Sequence, residues 1–177
     1  MKKNFAIALL FAVISINAYS QVETNKMRWY TIEEALKLNE QHPKKIFIDV
    51  FTDWCGWCKK MDKETFTNPV IADYLTKNFY PVKFDAESKQ DITYKGTVYK
   101  NRGTQNKSPH DLAAALTNGQ LSYPTSIYMD GQNNLLTTVP GYMTPTDLEP
   151  ILVFFAEDHY KTTKWEEFKA KFVSKLK

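Results

Sequence analysis

Cysteine is scarce in this chain: two residues among 177, at positions 55 and 58. A frame of several disulfides, the usual support of small secreted domains, is thereby excluded. Histidine offers no metal-binding pattern, because His42, His110 and His159 lie far apart in sequence, whereas zinc usually takes four protein ligands, several at short spacings. Charge of one sign is not in excess. Lys and Arg number 23 against 20 Asp and Glu, which gives no ground for expecting nucleic acid or an anionic membrane as partner. The leading apolar stretch, residues 5–16, is too short to cross roughly 30 Å of hydrocarbon. Internal repeats and low-complexity tracts are missing too.

That apolar stretch has another reading. Lys2 and Lys3 precede it, and Ala18-Tyr19-Ser20 follows with small residues at −3 and −1 before Gln21. This is the pattern of a signal peptide cleaved after Ser20, so a periplasmic or secreted protein is expected. No cysteine follows the apolar stretch to carry a lipid anchor. Without the two lysines the formal charge falls from +3 to +1. The remainder, 21–177, has the composition of one globular domain able to build its own core.

Along that domain, Arg28-Trp29-Tyr30 reads as a short edge strand. Thr31 with Glu34 three residues on forms a capping box, opening a helix to about Gln41 that Pro43 stops. Residues 45–52 follow as a strand, Ile46, Ile48 and Val50 pointing one way and Phe47, Asp49 and Phe51 the other. Apolar on both faces except at Asp49, it is the kind of strand that helices cover on both sides. A helix from about Gly56 to Phe66 comes next, then one capped by Asn68 with Pro69 at its first position. Residues 79–85 are a strand. Residues 88–107 carry a local +4 and a candidate hairpin around Lys95-Gly96, and are expected to form a surface excursion outside the core. Ser108-Pro109 starts a short helix that ends at Asn118-Gly119. Residues 126–130 and 135–139 read as antiparallel strands, 145–160 as an amphipathic helix, and 165–176 as a last helix with Trp165, Phe168 and Phe172 on one face. The expected class is α/β, a mixed sheet flanked by helices.

The two cysteines stand where the first strand turns into its helix. There the unpaired N–H groups and the positive dipole end favour an anion, and thiolate is the nucleophilic form of cysteine. Cys55 is therefore expected to attack, and Cys58, one turn on, to resolve. Other uses of the pair remain open. As a staple it would do little, since a loop of about four residues is worth roughly 1.9 kcal/mol against about 4.7 for 100 residues. It could also supply soft ligands to a metal such as copper, or form two inert core thiols. Asp49 lies six residues before Cys55 on an otherwise aromatic face, where burial would raise its pKa. Asp53 is expected to be exposed. Trp54 and Trp57 flank the cysteines and offer apolar contact to a substrate, while Lys59 and Lys60 stand either beside a thiolate or on a solvated helix face.

The string Asp49-x-x-x-x-Trp54-Cys55-Gly56-x-Cys58-Lys59 is preceded by a hydrophobic strand, and Tyr123-Pro124-Thr125 precedes the apolar run 127–129. Together they resemble the active-site region and the cis-proline loop of the thioredoxin superfamily. Gly56-Trp57 between the cysteines resembles the secreted bacterial thioredoxin-like proteins more than cytosolic thioredoxin, which has Gly-Pro. The likeness runs from about residue 44 to 160 and implies the thioredoxin fold, with residues 88–107 as an insert before the cis-proline loop and 164–176 as an extra C-terminal helix. It implies a redox-active Cys55–Cys58 pair, Asp49 as the acid assisting Cys58, Pro124 as the cis-proline, and Tyr123 in the substrate surface. It implies no bound cofactor. The partners would be client proteins with disulfides and a membrane-bound or other thiol electron donor. The expected activity is disulfide reduction, with disulfide oxidation or isomerisation as the alternative within the family.

Overall fold

The computed structural model describes residues 27–176. The expected signal peptide and its cleavage site lie outside the described residues. Helix α1 (Ile32–Gln41) begins at the capping box: Thr31 Oγ1 accepts from the Glu34 N–H at 3.1 Å, and Glu34 returns a carboxylate to the Thr31 N–H at 2.9 Å. Strand β1 (Lys45–Phe51) leads into α2 (Gly56–Glu64) and α3 (Pro69–Asn78), the latter capped by Asn68. Strand β2 (Phe79–Asp85), the hairpin β3 (Ile92–Tyr94) and β4 (Thr97–Tyr99), and helix α4 (Asp111–Leu116) follow. The chain ends with β5 (Thr125–Met129), β6 (Leu135–Pro140), α5 (Pro145–Ala156), a 3-10 turn (His159–Lys161) and α6 (Trp165–Lys171).

The main sheet has the order β2-β1-β5-β6. β1 runs parallel to β2, from Lys45↔Phe79 to Phe51↔Asp85, and antiparallel to β5, from Ile46↔Met129 to Val50↔Thr125. The period-two reading of β1 holds. Ile46, Ile48 and Val50 pack with Ile32 and Ala35 of α1 and with Leu112, Ala113 and Leu116 of α4. Phe47 faces the other way, into Met61, Ile71, Leu75, Tyr128, Leu148 and Phe155. Each such buried side chain contributes about 1.5–3 kcal/mol, so two layers of helices hold the central strand with no structural disulfide in either core.

Several boundaries differ from expectation. The edge strand near Trp29 shrinks to one parallel bridge, Tyr30↔Val82. Helix α4 starts two residues later than Ser108-Pro109, because His110 is its cap: Nδ1 accepts from the Leu112 N–H at 3.1 Å. Helix α5 stops at Ala156 and does not continue to Tyr160. The Lys45 ammonium takes the Ala156 carbonyl at 3.1 Å and pairs with Asp158, whose backbone is left-handed at φ 61°. Helix α6 ends at Lys171, since the following chain turns to the buried carboxylate of Glu149, which accepts from the Ser174 hydroxyl and from the Lys175 N–H at 2.7 Å.

One expectation is corrected outright. The segment 88–107 reads from sequence as a surface excursion apart from the core. Its hairpin instead inserts Ile92 and Tyr94 into the cluster around β1, and the Tyr94 hydroxyl donates to the Asn133 carbonyl at 2.7 Å. The lysines that dominate its composition project outward and hide the alternation that buries these two side chains.

Candidate active site

Strand β1 delivers the site. Its last turn bends at Thr52, whose carbonyl accepts from the Cys55 N–H at 3.1 Å, and Cys55 becomes the N-cap of α2. The Cys55 Sγ accepts from the Cys58 N–H at 3.1 Å, in the place a Ser or Asp oxygen takes in an ordinary cap. The two sulfurs are bonded to each other, S–S 2.08 Å. Both cysteines are buried, Cys58 at 2% exposure and Cys55 at 5%.

Around them stands an aromatic rim. Trp54 and Trp57 are 52% and 58% exposed. The edge of Trp54 meets Tyr123 at 6.0 Å between ring centroids, which brings the cysteine turn against the loop of Tyr123 and Pro124. The Tyr123–Pro124 peptide is cis. Trp54 also donates its Nε1–H to Glu87 at 2.9 Å and lies under the Lys107 ammonium at 5.0 Å. Trp57 leans on Tyr142 at 5.3 Å, with the Lys60 ammonium over both rings. Lys59 and Asp53 are exposed.

Beneath the helix lies Asp49, 1% exposed. One carboxylate oxygen accepts from the Lys83 ammonium at 2.5 Å, and Lys83 also binds Asp62 of α2. Burial pushes the Asp49 pKa up from 3.8 to about 6; the Lys83 charge opposes the rise and Asp62 adds to it. The ammonium sits among Trp29, Phe51 and Phe66, 5.0 to 5.3 Å from the ring centres. A buried carboxylate poised near neutrality is able to take or give a proton.

All seven residues singled out from the sequence fall in this region: Asp49 below the helix, Cys55 and Cys58 at its start, and Trp54, Trp57, Tyr123 and Pro124 around its rim. Lys83, Asp62, Glu87 and Tyr142 went unremarked. Lys83 had a signal, being the one charge in the run Phe79-Tyr80-Pro81-Val82-Lys83-Phe84. Asp62 had another, standing four residues after Cys58 and hence on the same side of α2. Among the described residues no group of three or more His, Cys, Asp or Glu gathers as metal ligands would.

The Thioredox_DsbH family model, described as a protein of unknown function, DUF255, matches residues 15–174. An uncharacterized protein of Archaeoglobus fulgidus is 30% identical over 88 residues, which cover 49% of this chain and 68% of that protein. The thiol:disulfide interchange protein DsbD of Vibrio vulnificus is 26% identical over 114 residues, 63% of this chain but only 16% of DsbD. Among solved structures, one titled DsbH Oxidoreductase superposes with a TM-score of 0.53 over 75% of this chain and 85% of that one, at 16% identity, a likeness of fold. The four-stranded sheet, the Cys-x-x-Cys pair at a helix start and a family match across nearly the whole sequence lead to one assignment: the chain is a thioredoxin fold of thiol–disulfide oxidoreductase type and belongs to the Thioredox_DsbH family.

Proposed function

We propose that the chain is an exported protein-disulfide reductase that works through Cys55 and Cys58. The observation that carries this reading is the pairing of a cysteine at a helix N-cap with a buried acid, Asp49, that titrates at about 6. The Cys55 thiolate attacks a client disulfide; a bond forms from Cys55 to one client sulfur, and the other leaves as a thiolate and takes up a proton. Cys58 then gives its proton to the Asp49 carboxylate and attacks Cys55 Sγ. The Cys55–Cys58 bond forms, the second client sulfur departs and is protonated, and two electrons have passed to the client. A membrane-bound or other thiol donor returns them. Trp54, Trp57 and Tyr123 give the client segment its apolar contacts, and the Pro124 loop aligns its backbone. Export rests on the signal-peptide pattern of residues 1–20.

Two cysteine variants test the division of labour. Cys55→Ser is expected to abolish insulin reduction with dithiothreitol as donor. Cys58→Ser is expected to accumulate mixed disulfides with clients, visible on non-reducing gels. Trapping by Cys55→Ser in place of Cys58→Ser would reverse the assigned roles, and activity surviving in both would remove the dithiol from the reaction.

A further inference from the structure

Asp49 of β1 and Ser126 of β5 are register partners, so their side chains leave the sheet on one face with Cβ atoms about 4.5–5.5 Å apart. That face is the one α2 covers: Phe47 and Tyr128, the neighbouring pair on it, pack against Met61. Both residues are buried, Asp49 at 1% and Ser126 at 0% exposure. Lys83 occupies Asp49 Oδ2, but Asp49 Oδ1 and Ser126 Oγ have no hydrogen-bond partner among the described residues. A buried polar atom without a partner costs about 1–3 kcal/mol, so two facing each other call for an explanation. Their chemistries are complementary, for one accepts and the other donates. Val139, the partner of Ser126 on the far side, competes for neither.

We propose that Ser126 is a positioning residue for the redox step: its hydroxyl holds Asp49 Oδ1, through one bridging water, as the acceptor of the Cys58 proton. This rests on reading Cys58 as the resolving cysteine. Such a water would have two polar partners, Asp49 Oδ1 and Ser126 Oγ, the least it needs. The groups facing Asp49 are Lys83 from β2, with Asp62 of α2 on the same ammonium, and Ser126 from β5. Lys83 stabilises the charged carboxylate and Asp62 opposes it. A hydroxyl that donates, directly or through water, favours the charged form, so losing it raises the proton affinity of Asp49. The proton leaves the Cys58 sulfur for the carboxylate and returns to solvent after the Cys55–Cys58 bond has closed.

The test uses the full chain and the variants Ser126→Ala, Ser126→Thr and Ser126→Val; Thr and Val share a shape and differ in the hydroxyl. Carbon-13 NMR of the Asp49 carboxyl in the oxidised protein should show the titration midpoint rising in Ala and Val by about half a unit or more, with Thr at the wild-type value. In the dithiol form, mixed-disulfide resolution should slow about 2–5-fold near pH 6 in Ala and Val and converge with wild type near pH 9, since raising a midpoint of about 6 by half to one pH unit lowers the ionised fraction at pH 6 by about that factor. Unmoved midpoints, or a slowing equal at every pH, would overturn the proposal. If Ser126→Ala fails to fold, the Thr and Val pair decides alone. A wild-type chain that resolves nothing at any pH overturns the redox reading, whereas the carboxyl titration, which needs no turnover, reports on the Asp49–Ser126 coupling by itself.

Discussion

At Asp49 burial and charge pull in opposite directions, and burial prevails. The folded-state value is about 6 against 3.8 for an ordinary aspartate, so the folded chain holds this proton more tightly than the unfolded chain does. The advantage is complete below about pH 4 and is lost as pH rises through about 6; above that, folding carries the cost of a buried anion. Two units are worth on the order of 3 kcal/mol. Asp49→Asn, which keeps an oxygen for Lys83, is therefore expected to be more stable than wild type near pH 8 by up to about that amount, and the gap should close near pH 4. Urea unfolding at the two pH values measures it, and a gap that persists or reverses at acid pH would contradict the sign. Asp49 could be read from sequence because it stands alone among apolar neighbours at a fixed distance from Cys55. Lys83 and Ser126 could not be paired with it, because their closeness exists only in the parallel register with β2 and the antiparallel register with β5.

Elements whose ends are set locally were legible, and those set by distant residues were not. Thr31 and Glu34 lie three apart and announce α1; the end of α5 depends on Lys45 of β1 and the end of α6 on Glu149 of α5, so neither is set within its own helix. The segment 88–107 teaches the same lesson, since β3 is three residues long and two of them, Ile92 and Tyr94, reach the core. Replacing the segment with a Gly/Ser loop should therefore destabilise the chain. Ile92→Ala alone should cost about 2–4 kcal/mol by chemical denaturation, whereas a change within about 0.5 kcal/mol would return the hairpin to the surface. The tail makes a parallel case. Glu149 is 2% exposed and its carboxylate is held by Ser174 and Lys175. Deleting residues 174–177 strips those donors from a buried charge and should lower stability by about 1.5–3 kcal/mol. Glu149→Gln combined with the deletion should lose less than the deletion alone.

A reduction potential belongs to the whole molecule, since it measures how much more stable one folded form is than the other. Strong oxidants owe their potential to a stabilised thiolate in the reduced form. Here the residues between the cysteines, Gly56 and Trp57, supply no histidine to hold one. The Cys55–Cys58 couple should then lie nearer about −270 mV, as in thioredoxin, than about −120 mV, as in the strong periplasmic oxidant. Equilibration with glutathione buffers, alkylation and mass analysis give the value, and one above about −180 mV would favour the oxidase or isomerase direction. At this scale the sequence was most readable: the mixed sheet and its two helical layers follow from alternation on β1, and the thioredoxin likeness from a dozen residues around two cysteines. The strand order has a further consequence, in time. Val50 pairs first with Phe84 and only much later in the chain with Thr125. A chain emerging from its N-terminus thus presents both cysteines, and a β1 still open along one edge, before β5 has been made. Pairing over such a separation is slow, because loop closure precedes its reward. The two sulfurs are exposed to whatever oxidant or reductant the nascent chain meets before β5, with Ser126 on it, has joined the far edge of β1.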